Sequence, residues 1–197
     1  MKRFACIDWK LHRFLFGQDV CLTMEEIRII TKGRDLKKIG AKTFREYISL
    51  FVKERASITL QKIPTLAQEK KWLDNLAKNI DDNKALTVLL FIDGKLAGTC
   101  AAHRPANDGE GINVNFGLSI AKQHRGKGFG EKLLRRAIAE AKKRFKPHNL
   151  WIEHVEGNAV ARKLYEKVGF AEVGRLEDYV LHYGKYKDKI LMHYKGK

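Results

Sequence analysis

The stretch that decides the fold is Gln123-His124-Arg125-Gly126-Lys127-Gly128-Phe129-Gly130. It follows a strand-like apolar run that ends at Ile120, and it precedes residues 133–145, in which apolar side chains repeat at helical spacing. Three alternate glycines let the backbone curl, so that several N–H groups point into one concavity at the positive end of the helix dipole. Together with Arg125 and Lys127, the loop predicts a cradle for a pyrophosphate group.

Two nucleotide-binding loops fit the sequence less well. A Walker loop needs Ser or Thr after a Gly-Lys pair at the start of the helix, whereas Gly128 is followed by Phe129. A dinucleotide fingerprint needs GxGxxG near the first strand of a βαβ unit, and this chain has GxGxG deep in its sequence. Both loops are therefore disfavoured, while a tight connection that binds nothing stays open.

The residues on either side of the loop predict strands and helices in turn. Alternating or continuous apolar runs predict strands at residues 26–30, 85–92, 95–103, 112–120, 150–155, 170–183 and 186–194. Helical spacing predicts helices at residues 35–54, 64–80, 130–145 and 158–168. Asp93-Gly94 predicts a tight hairpin turn, and Gly184-Lys185 joins the last two strands.

The chain predicts one compact domain. Its 197 residues contain no internal repeat, no low-complexity tract and no linker rich in Pro, Ser and Gly. Met24 opens the first clear strand, so residues 1–23 are treated as an N-terminal extension, either an upstream-start artefact or a loosely packed segment. Residues 24–197 then form the domain. Because no apolar run approaches ~20 residues, neither a signal peptide nor a membrane anchor is predicted.

Charge and cysteine usage limit the partners and the compartment. The 39 Lys and Arg against 23 Asp and Glu give a net charge of +16, which attracts anions. Nucleic acid, ribosome, anionic membrane and a polyphosphate cofactor all fit this balance, as does a purely solubilising surface. The cysteines form no CxxC pair and leave an odd one in any disulfide scheme, which predicts a reducing cytoplasm: Cys6, Cys21 and Cys100. The histidines lack metal-ligand spacing, so no metal site is predicted.

Two signatures resemble the GNAT superfamily of acyl-CoA-dependent N-acetyltransferases. The first, Gln/Arg-x-x-Gly-x-Gly/Ala, is matched by Gln123, Gly126 and Gly128. The second follows later in the chain as Asn158-x-x-Ala161-x-x-Leu164-Tyr165-x-x-x-Gly169-Phe170. Two matches in the right order are much more specific than either alone, and the likeness covers roughly residues 25–195.

The resemblance implies an α/β (α+β) fold with a mixed, mostly antiparallel sheet, flanked by helices and splayed between its fourth and fifth strands. It also implies acetyl-CoA as the cosubstrate, lying in this gap. The residues that it assigns to acetyl-CoA are Leu118, Ser119, Ile120, Gln123, His124, Arg125, Gly126, Lys127, Gly128, Phe129, Gly130, Asn158 and Tyr165. In such a site the loop wraps the pyrophosphate, the strand binds the pantetheine arm, and an N–H near Leu118 polarises the acetyl carbonyl.

The same resemblance implies two catalytic residues. Tyr165 stands where many GNAT enzymes place a tyrosine that donates a proton to the leaving sulfur. Many members carry a Glu base on the fourth strand, but this chain has Asn115, which cannot accept a proton. RimI-like protein N-terminal acetyltransferases carry a Glu on the fifth strand, and its offset from the second signature gives Glu153 here. His154 is then expected on the opposite face of that strand.

The amine acceptor stays open between two classes. Deprotonating an α-amine at pH 7 costs ~1.4 kcal/mol, against ~4.6 kcal/mol for a lysine-like amine, so a site without the fourth-strand Glu slightly favours a peptide or protein amine. The basic surface also suits an acidic or ribosome-associated partner and repels polycations. In contrast, the sequence of residues 184–192 resembles that of GNAT enzymes that acetylate small amines, which favours a small-molecule amine. Homodimers are common in folds of this kind, so a homodimer is one expected state.

Two further functions stay open. Residues 122–146 carry ten Lys or Arg and, with four tyrosines of the terminal hairpin, could form a nucleic-acid-binding module. Aromatic residues that alternate in a hairpin more often pack a sheet, so this function is disfavoured. Because the fourth-strand Glu is absent, a second alternative also stays open, namely a protein with a GNAT fold that binds acyl-CoA without turnover. The two ordered signatures favour the enzyme over both alternatives.

Overall fold

The computed structural model describes residues 23–104 and 111–196 of the chain, so all but one residue of the predicted N-terminal extension lies outside the described part. The described strands form one sheet in the order β1-β2-β3-β4-β5-β7-β6. They are β1 (Glu25–Ile30), β2 (Ala85–Ile92), β3 (Lys95–His103), β4 (Asn113–Ile120), β5 (Asn149–Val155), β6 (Phe170–His182) and β7 (Lys185–Tyr194). The described helices are α1 (Gly33–Ile39), α2 (Ala41–Lys53), α3 (Leu66–Asp81), α4 (Phe129–Phe145) and α5 (Ala159–Val168).

The sheet divides where β4 meets β5. These two strands run parallel, whereas every other neighbouring pair is antiparallel. Their pairing ends at Phe116 opposite Ile152. Beyond that point β4 continues to Ile120 paired with β3, and β5 continues to Val155 paired with β7. This mixed, mostly antiparallel sheet, splayed between β4 and β5, confirms the predicted fold class.

Helices cover both faces of the sheet. The apolar stripe of α4 packs against alternate residues of β2 to β5 in one core, which also receives Tyr165 and Val168 of α5. Residues of α2 and α3, among them Phe44 and Leu73, form a second core on the other face. Because both faces are covered there, every residue of β2 is buried.

Several boundaries differ from the prediction. Residues 35–54 form two helices instead of one, because Gly40, with φ of 82° and ψ of 149°, leaves the helical conformation between α1 and α2. α3 begins after Pro64 because Thr65 and Gln68 form a capping box. The last hairpin turns at Tyr183 and Gly184, one residue earlier than expected, and both have positive φ. α1 begins two residues earlier than predicted, and the other predicted ends agree within one residue.

Candidate active site

The gap between β4 and β5 opens into a cleft of about 590 Å³. Ten of the residues predicted to bind acetyl-CoA line it: Leu118, Ser119, Ile120, His124, Arg125, Gly126, Gly128, Gly130, Asn158 and Tyr165. The facing wall comes from the end of α2 and the segment after it, which the sequence did not single out: Phe51, Glu54, Arg55, Ala56, Ser57 and Ile58. Residues of both signatures therefore meet in one cleft.

The edge of β4 offers backbone groups to this cleft. The Ala121 N–H donates to the Ala97 carbonyl at 2.9 Å. In an antiparallel pair the backbone groups of every second residue face the same neighbour, so those of Ser119 also face β3. The backbone groups of Leu118 and Ile120 therefore face the gap, where β5 has already diverged. Such an edge can hydrogen-bond an extended chain that carries amide groups.

The glycine loop leads directly into the N-terminus of α4. Gly126 and Gly128 have φ of 74° and 81°, a region that L side chains rarely adopt. Gly128 is the N-cap of α4, and no side chain caps this helix end. The first-turn N–H groups are therefore left for a ligand at the positive end of a 17-residue helix. This arrangement fits a pyrophosphate.

Two side chains of the loop support the fold. The Arg125 Nε donates to the Ile120 carbonyl at 2.8 Å, and the guanidinium also hydrogen-bonds Glu54. Arg125 thus ties the end of β4 to the end of α2. Phe129 is buried in the core that α4 forms with the sheet, so only its backbone can face a ligand.

The remaining loop side chains differ in position and charge. Gln123 and Lys127 are exposed and are not among the described residues that line the cleft. His124 lines the cleft, and burial followed by the charge of Lys127 lowers the pKa of its ring from the usual 6.5. At neutral pH the imidazole is therefore mostly uncharged, and positive charge at the loop comes from Lys127, Arg125 and the helix terminus.

The second signature sets both ends of α5. The Asn158 Oδ1 accepts a hydrogen bond from the Ala161 N–H at 3.1 Å and caps the helix, so only the side-chain NH₂ group is left to donate to a ligand. Gly169 ends the helix with φ of 116°. Between these ends, α5 places Tyr165 at the wall of the cleft.

Tyr165 is buried and still lines the cleft. Its ring lies 6.2 Å from that of His154 and 6.4 Å from that of Phe170, measured between centroids. Its hydroxyl makes no hydrogen bond to another described residue. Burial, followed by the nearby Cys100 and Glu153, raises the pKa of Tyr165 above its usual value of 10. The phenol is therefore protonated at neutral pH and can donate.

Glu153 and His154 occupy consecutive positions of β5, so their side chains point to opposite faces of the sheet. The Glu153 Oε1 accepts a hydrogen bond from Lys189 Nζ at 3.0 Å, and Glu153 is not among the described residues that line the cleft. His154 is buried, and its Nδ1 lies 3.1 Å from the Val155 carbonyl. Its Nε2 has no hydrogen-bond partner among the described residues. In the structure, Glu153 therefore pairs with Lys189, and the His154 ring lies beside that of Tyr165.

A second cavity, of about 700 Å³, lies between the sheet and helices α2 and α3. Ser119 lines both this cavity and the cleft. Its Oγ lies 2.8 Å from the Tyr47 hydroxyl and 3.0 Å from the Thr99 hydroxyl, and the Tyr47 hydroxyl also donates to the Ser119 carbonyl. Burial raises the pKa of Tyr47, which keeps this hydroxyl protonated. In the sequence, Tyr47 belonged only to an apolar helical stripe, so no signal marked it.

Residues 50–170 match the acetyltransferase (GNAT) family. The match spans more than half of the chain, and the chain belongs to this family.

Relatives within the family differ in what their names say they acetylate. The chain is 33% identical over 76 residues to spermidine N(1)-acetyltransferase of Vibrio cholerae, covering 39% of this chain and 44% of that protein. It is 35% identical over 98 residues to streptothricin acetyltransferase of Streptomyces lavendulae, covering 50% of each. It is 29% identical over 120 residues to the ribosomal protein bS18 alanine N-acetyltransferase of Haemophilus influenzae, covering 61% and 78%. The chain thus spans about half the length of the first two relatives.

Solved structures share the fold. An acetyltransferase of the GNAT family from Streptococcus pneumoniae superposes with a TM-score of 0.71 at 22% identity, covering 86% of this chain and 98% of that one. A protein assigned as an acetyltransferase from Salmonella typhimurium, solved with its cofactor acetyl-CoA, gives 0.68 at 20% identity and covers 86% and 92%. At these identities the likeness concerns the fold.

None of the described helices has the length and apolar character needed to cross a membrane. Within residues 23–104 and 111–196, no three His, Cys, Asp or Glu side chains come together as a metal-holding group. Cys100, the cysteine within these ranges, is buried and free.

Proposed function

We propose that the protein is an N-acetyltransferase that moves an acetyl group from acetyl-CoA to a primary amine. The observation that carries the proposal is the meeting of two cavities at Ser119, one bounded by an open strand edge and a glycine loop, the other by α2 and α3. A reaction between two substrates needs two such sites that meet at the reacting atoms.

The residues of the cleft fit acetyl-CoA in three ways. The uncapped N-terminus of α4 and the glycine loop suit the pyrophosphate, because they offer backbone N–H groups and a positive dipole end. The outward-facing N–H and carbonyl of Leu118 and the outward-facing N–H of Ile120 suit the amide groups of the pantetheine arm, while the Ile120 carbonyl accepts from Arg125. The Leu118 N–H is our candidate for polarising the acetyl carbonyl. Bound there, acetyl-CoA supplies an activated thioester.

The reaction requires two proton transfers. The amine nitrogen forms a bond to the acetyl carbon, the carbon–sulfur bond breaks, and the sulfur leaves as a thiolate that takes a proton. Tyr165 is the proposed donor, because the residue lines the cleft and burial keeps its hydroxyl protonated. The nitrogen loses a proton, for which Glu153 is the proposed acceptor, acting through water because its carboxylate is held by Lys189.

The class of acceptor has support on both sides. A RimI/RimJ-like action on a peptide or protein amine, with an acidic or ribosome-associated partner, is supported by the position of Glu153 and by the 29% identical relative that acetylates a ribosomal protein. A small amine is supported by the relatives that act on spermidine and streptothricin. A homodimer and a cytoplasmic location, the latter from the cysteine pattern, complete the proposal.

The test measures free thiol released from acetyl-CoA with each of four amine classes: N-terminal peptides, lysine peptides, polyamines and aromatic monoamines. A blank without amine and calorimetric binding of acetyl-CoA accompany each assay. Amine-dependent release supports the enzyme. Binding without release on any amine would support the non-catalytic alternative, and stabilisation by RNA with steep salt dependence, but not by acetyl-CoA, would support nucleic-acid binding.

The role of Glu153 is tested by Glu153→Gln. We expect kcat to fall about tenfold or more at neutral pH, because a general base contributes on the order of 100-fold and water retains part of the function. The matched control is Glu177→Gln, which removes the same charge from an exposed position of β6. Equal rates in both variants would remove Glu153 from the mechanism.

A further inference from the structure

The cavity between the sheet and helices α2 and α3, here called the α2–α3 cavity, has the size of a small-molecule site. Its volume of about 700 Å³ lies in the range of ~300–1,000 Å³ that is usual for ligand pockets. It touches the acetyl-CoA cleft at Ser119, so a molecule within it can present a group to the open end of the gap. This position suits the acceptor in the proposed reaction.

The walls of the α2–α3 cavity are mostly apolar. The apolar lining residues are Phe44, Ile48, Leu60, Ile63, Pro64, Trp72, Leu76 and Ala101. Two of them are aromatic rings in contact, since the centroids of Phe44 and Trp72 lie 5.7 Å apart. Trp72 is nevertheless 49% exposed, which is unusual for so large an apolar ring beside a cavity. Such walls favour an apolar or aromatic body over a polyamine or a sugar.

Glu69 is the one acidic side chain among the described residues that line this cavity. The residue is 7% exposed, yet its carboxylate makes no hydrogen bond or ion pair with another described residue. Burial raises the pKa of Glu69 from its usual 4.5, and the charge of Arg45 opposes this only in part. Burying an unpaired carboxylate costs stability, so it calls for a cationic partner that binds there.

The terminal hairpin anchors the segment that forms one wall of the cavity. The segment between α2 and α3, residues 54–65, lines the cleft with its first part and the α2–α3 cavity with its last part. The hairpin tip holds it in place: Gln61 bonds the Leu181 carbonyl and the Tyr183 N–H, and His182 Nε2 lies 2.9 Å from the Ala56 carbonyl. A folded protein would have to displace these contacts to pass a chain along this side.

We propose that the acceptor is a small monoamine with an apolar or aromatic body, which fills the α2–α3 cavity and whose ammonium group is attracted by Glu69. This inference rests on the proposed acetyl transfer and names its substrate class. The described lining carries one carboxylate, Glu69, and one cationic side chain, Lys62, so it cannot balance several positive charges on a ligand. This disfavours polycations, as does the net charge of +16. Glu69 therefore acts as a specificity residue for the amine.

The test compares 2-phenylethylamine, propylamine, spermidine and an N-terminal peptide in the thiol-release assay, with wild type and Glu69→Gln. We expect the highest kcat/KM for 2-phenylethylamine. In Glu69→Gln its KM should rise at least tenfold, while acetyl-CoA affinity stays unchanged because Glu69 does not line the cleft. Glu46→Gln is the matched control, since it removes a carboxylate from an exposed position of α2.

A second pair of variants tests whether the volume of the α2–α3 cavity limits which amine can bind. Ala101 lines the cavity from β3, so Ala101→Leu and Ala101→Phe reduce its volume in two steps from outside the cleft. We expect KM to rise in the same two steps for 2-phenylethylamine and much less for propylamine. If Ala101→Phe does not fold, Ala101→Leu still gives the comparison.

The outcomes separate this inference from the proposed function. The inference is overturned if the peptide or spermidine is acetylated faster than the monoamines and if Glu69→Gln and Ala101→Leu leave that rate unchanged. The proposed acetyltransferase activity would then still stand. If no amine is acetylated, calorimetric binding of 2-phenylethylamine decides. Binding that Glu69→Gln weakens would keep the cavity assignment while the proposed activity fails, and no binding would overturn both.

Discussion

The cleft and the α2–α3 cavity meet at Ser119, yet they are built from different parts of the chain. The cleft uses mainly backbone: an open edge of β4, glycines with positive φ and the N-terminus of α4. The α2–α3 cavity uses side chains from two helices, their connecting segment and three strands. Backbone geometry suits a constant ligand, since its N–H groups do not change with sequence. Side chains can change one at a time, which suits an acceptor that differs among relatives.

The largest effect should come from the cleft, through Tyr165→Phe. We expect kcat to fall by about 100-fold, because a positioned general acid contributes on the order of 100-fold or more. Acetyl-CoA affinity and thermal stability should change little, since the ring contacts with His154 and Phe170 remain. Stopped assays and calorimetry measure both quantities. An unchanged kcat would mean that the hydroxyl only packs against the cleft.

A smaller effect, on acetyl-CoA affinity, should follow from Gly128→Val, which strains the glycine loop of the cleft. Holding a β-branched residue at φ of 81° costs about 1–2 kcal/mol, so the loop should shift and acetyl-CoA should bind about tenfold more weakly. The control is Gly94→Val, which places the same strain at φ of 74° in the β2–β3 turn. Equal acetyl-CoA affinity in the two variants would show that the cradle lies elsewhere.

The smallest effect concerns the side-chain-built cavity and is a gain in stability. Because burial raises the Glu69 pKa above its usual 4.5, the folded state favours the protonated carboxyl, and wild type loses stability as pH rises past that range. Glu69→Gln removes this loss while Arg45 and Lys62 remain. We expect its Tm to equal that of wild type near pH 4 and to exceed it by about 1–3 °C at pH 7. Melting curves at the two pH values measure the difference, and a lower Tm at pH 7 would mean that Glu69 stabilises the fold.

Most of the fold could be predicted because its signals are local. The Asp93-Gly94 turn, the apolar period of α4 and the ends of α5 at Asn158 and Gly169 each depend on a few neighbouring residues. The break at Gly40 escaped prediction because the apolar stripe continues across it, and periodicity does not register one residue that leaves the helix.

The candidate site was predictable on one side only. Ten of the thirteen predicted acetyl-CoA residues line the cleft, since their spacing follows from the backbone path of one strand, one loop and one helix. Glu69 and Tyr47 gave no sequence signal, because each looked like an ordinary member of its helix. What sets them apart is the sheet that faces them, and these contacts join residues far apart in the chain, such as Tyr47 and Ser119.

The sequence by itself determined the order of strands and helices, the glycine loop before α4, the second signature and the resemblance to GNAT acetyltransferases. These features are written in short stretches whose conformation depends on local sterics and apolar period. Only the tertiary structure decided that a second cavity meets the cleft at Ser119 and that Arg125 ties β4 to α2. It also decided that Glu69 is buried without a hydrogen bond or ion pair to another described residue. These depend on packing between distant elements, which no local pattern encodes.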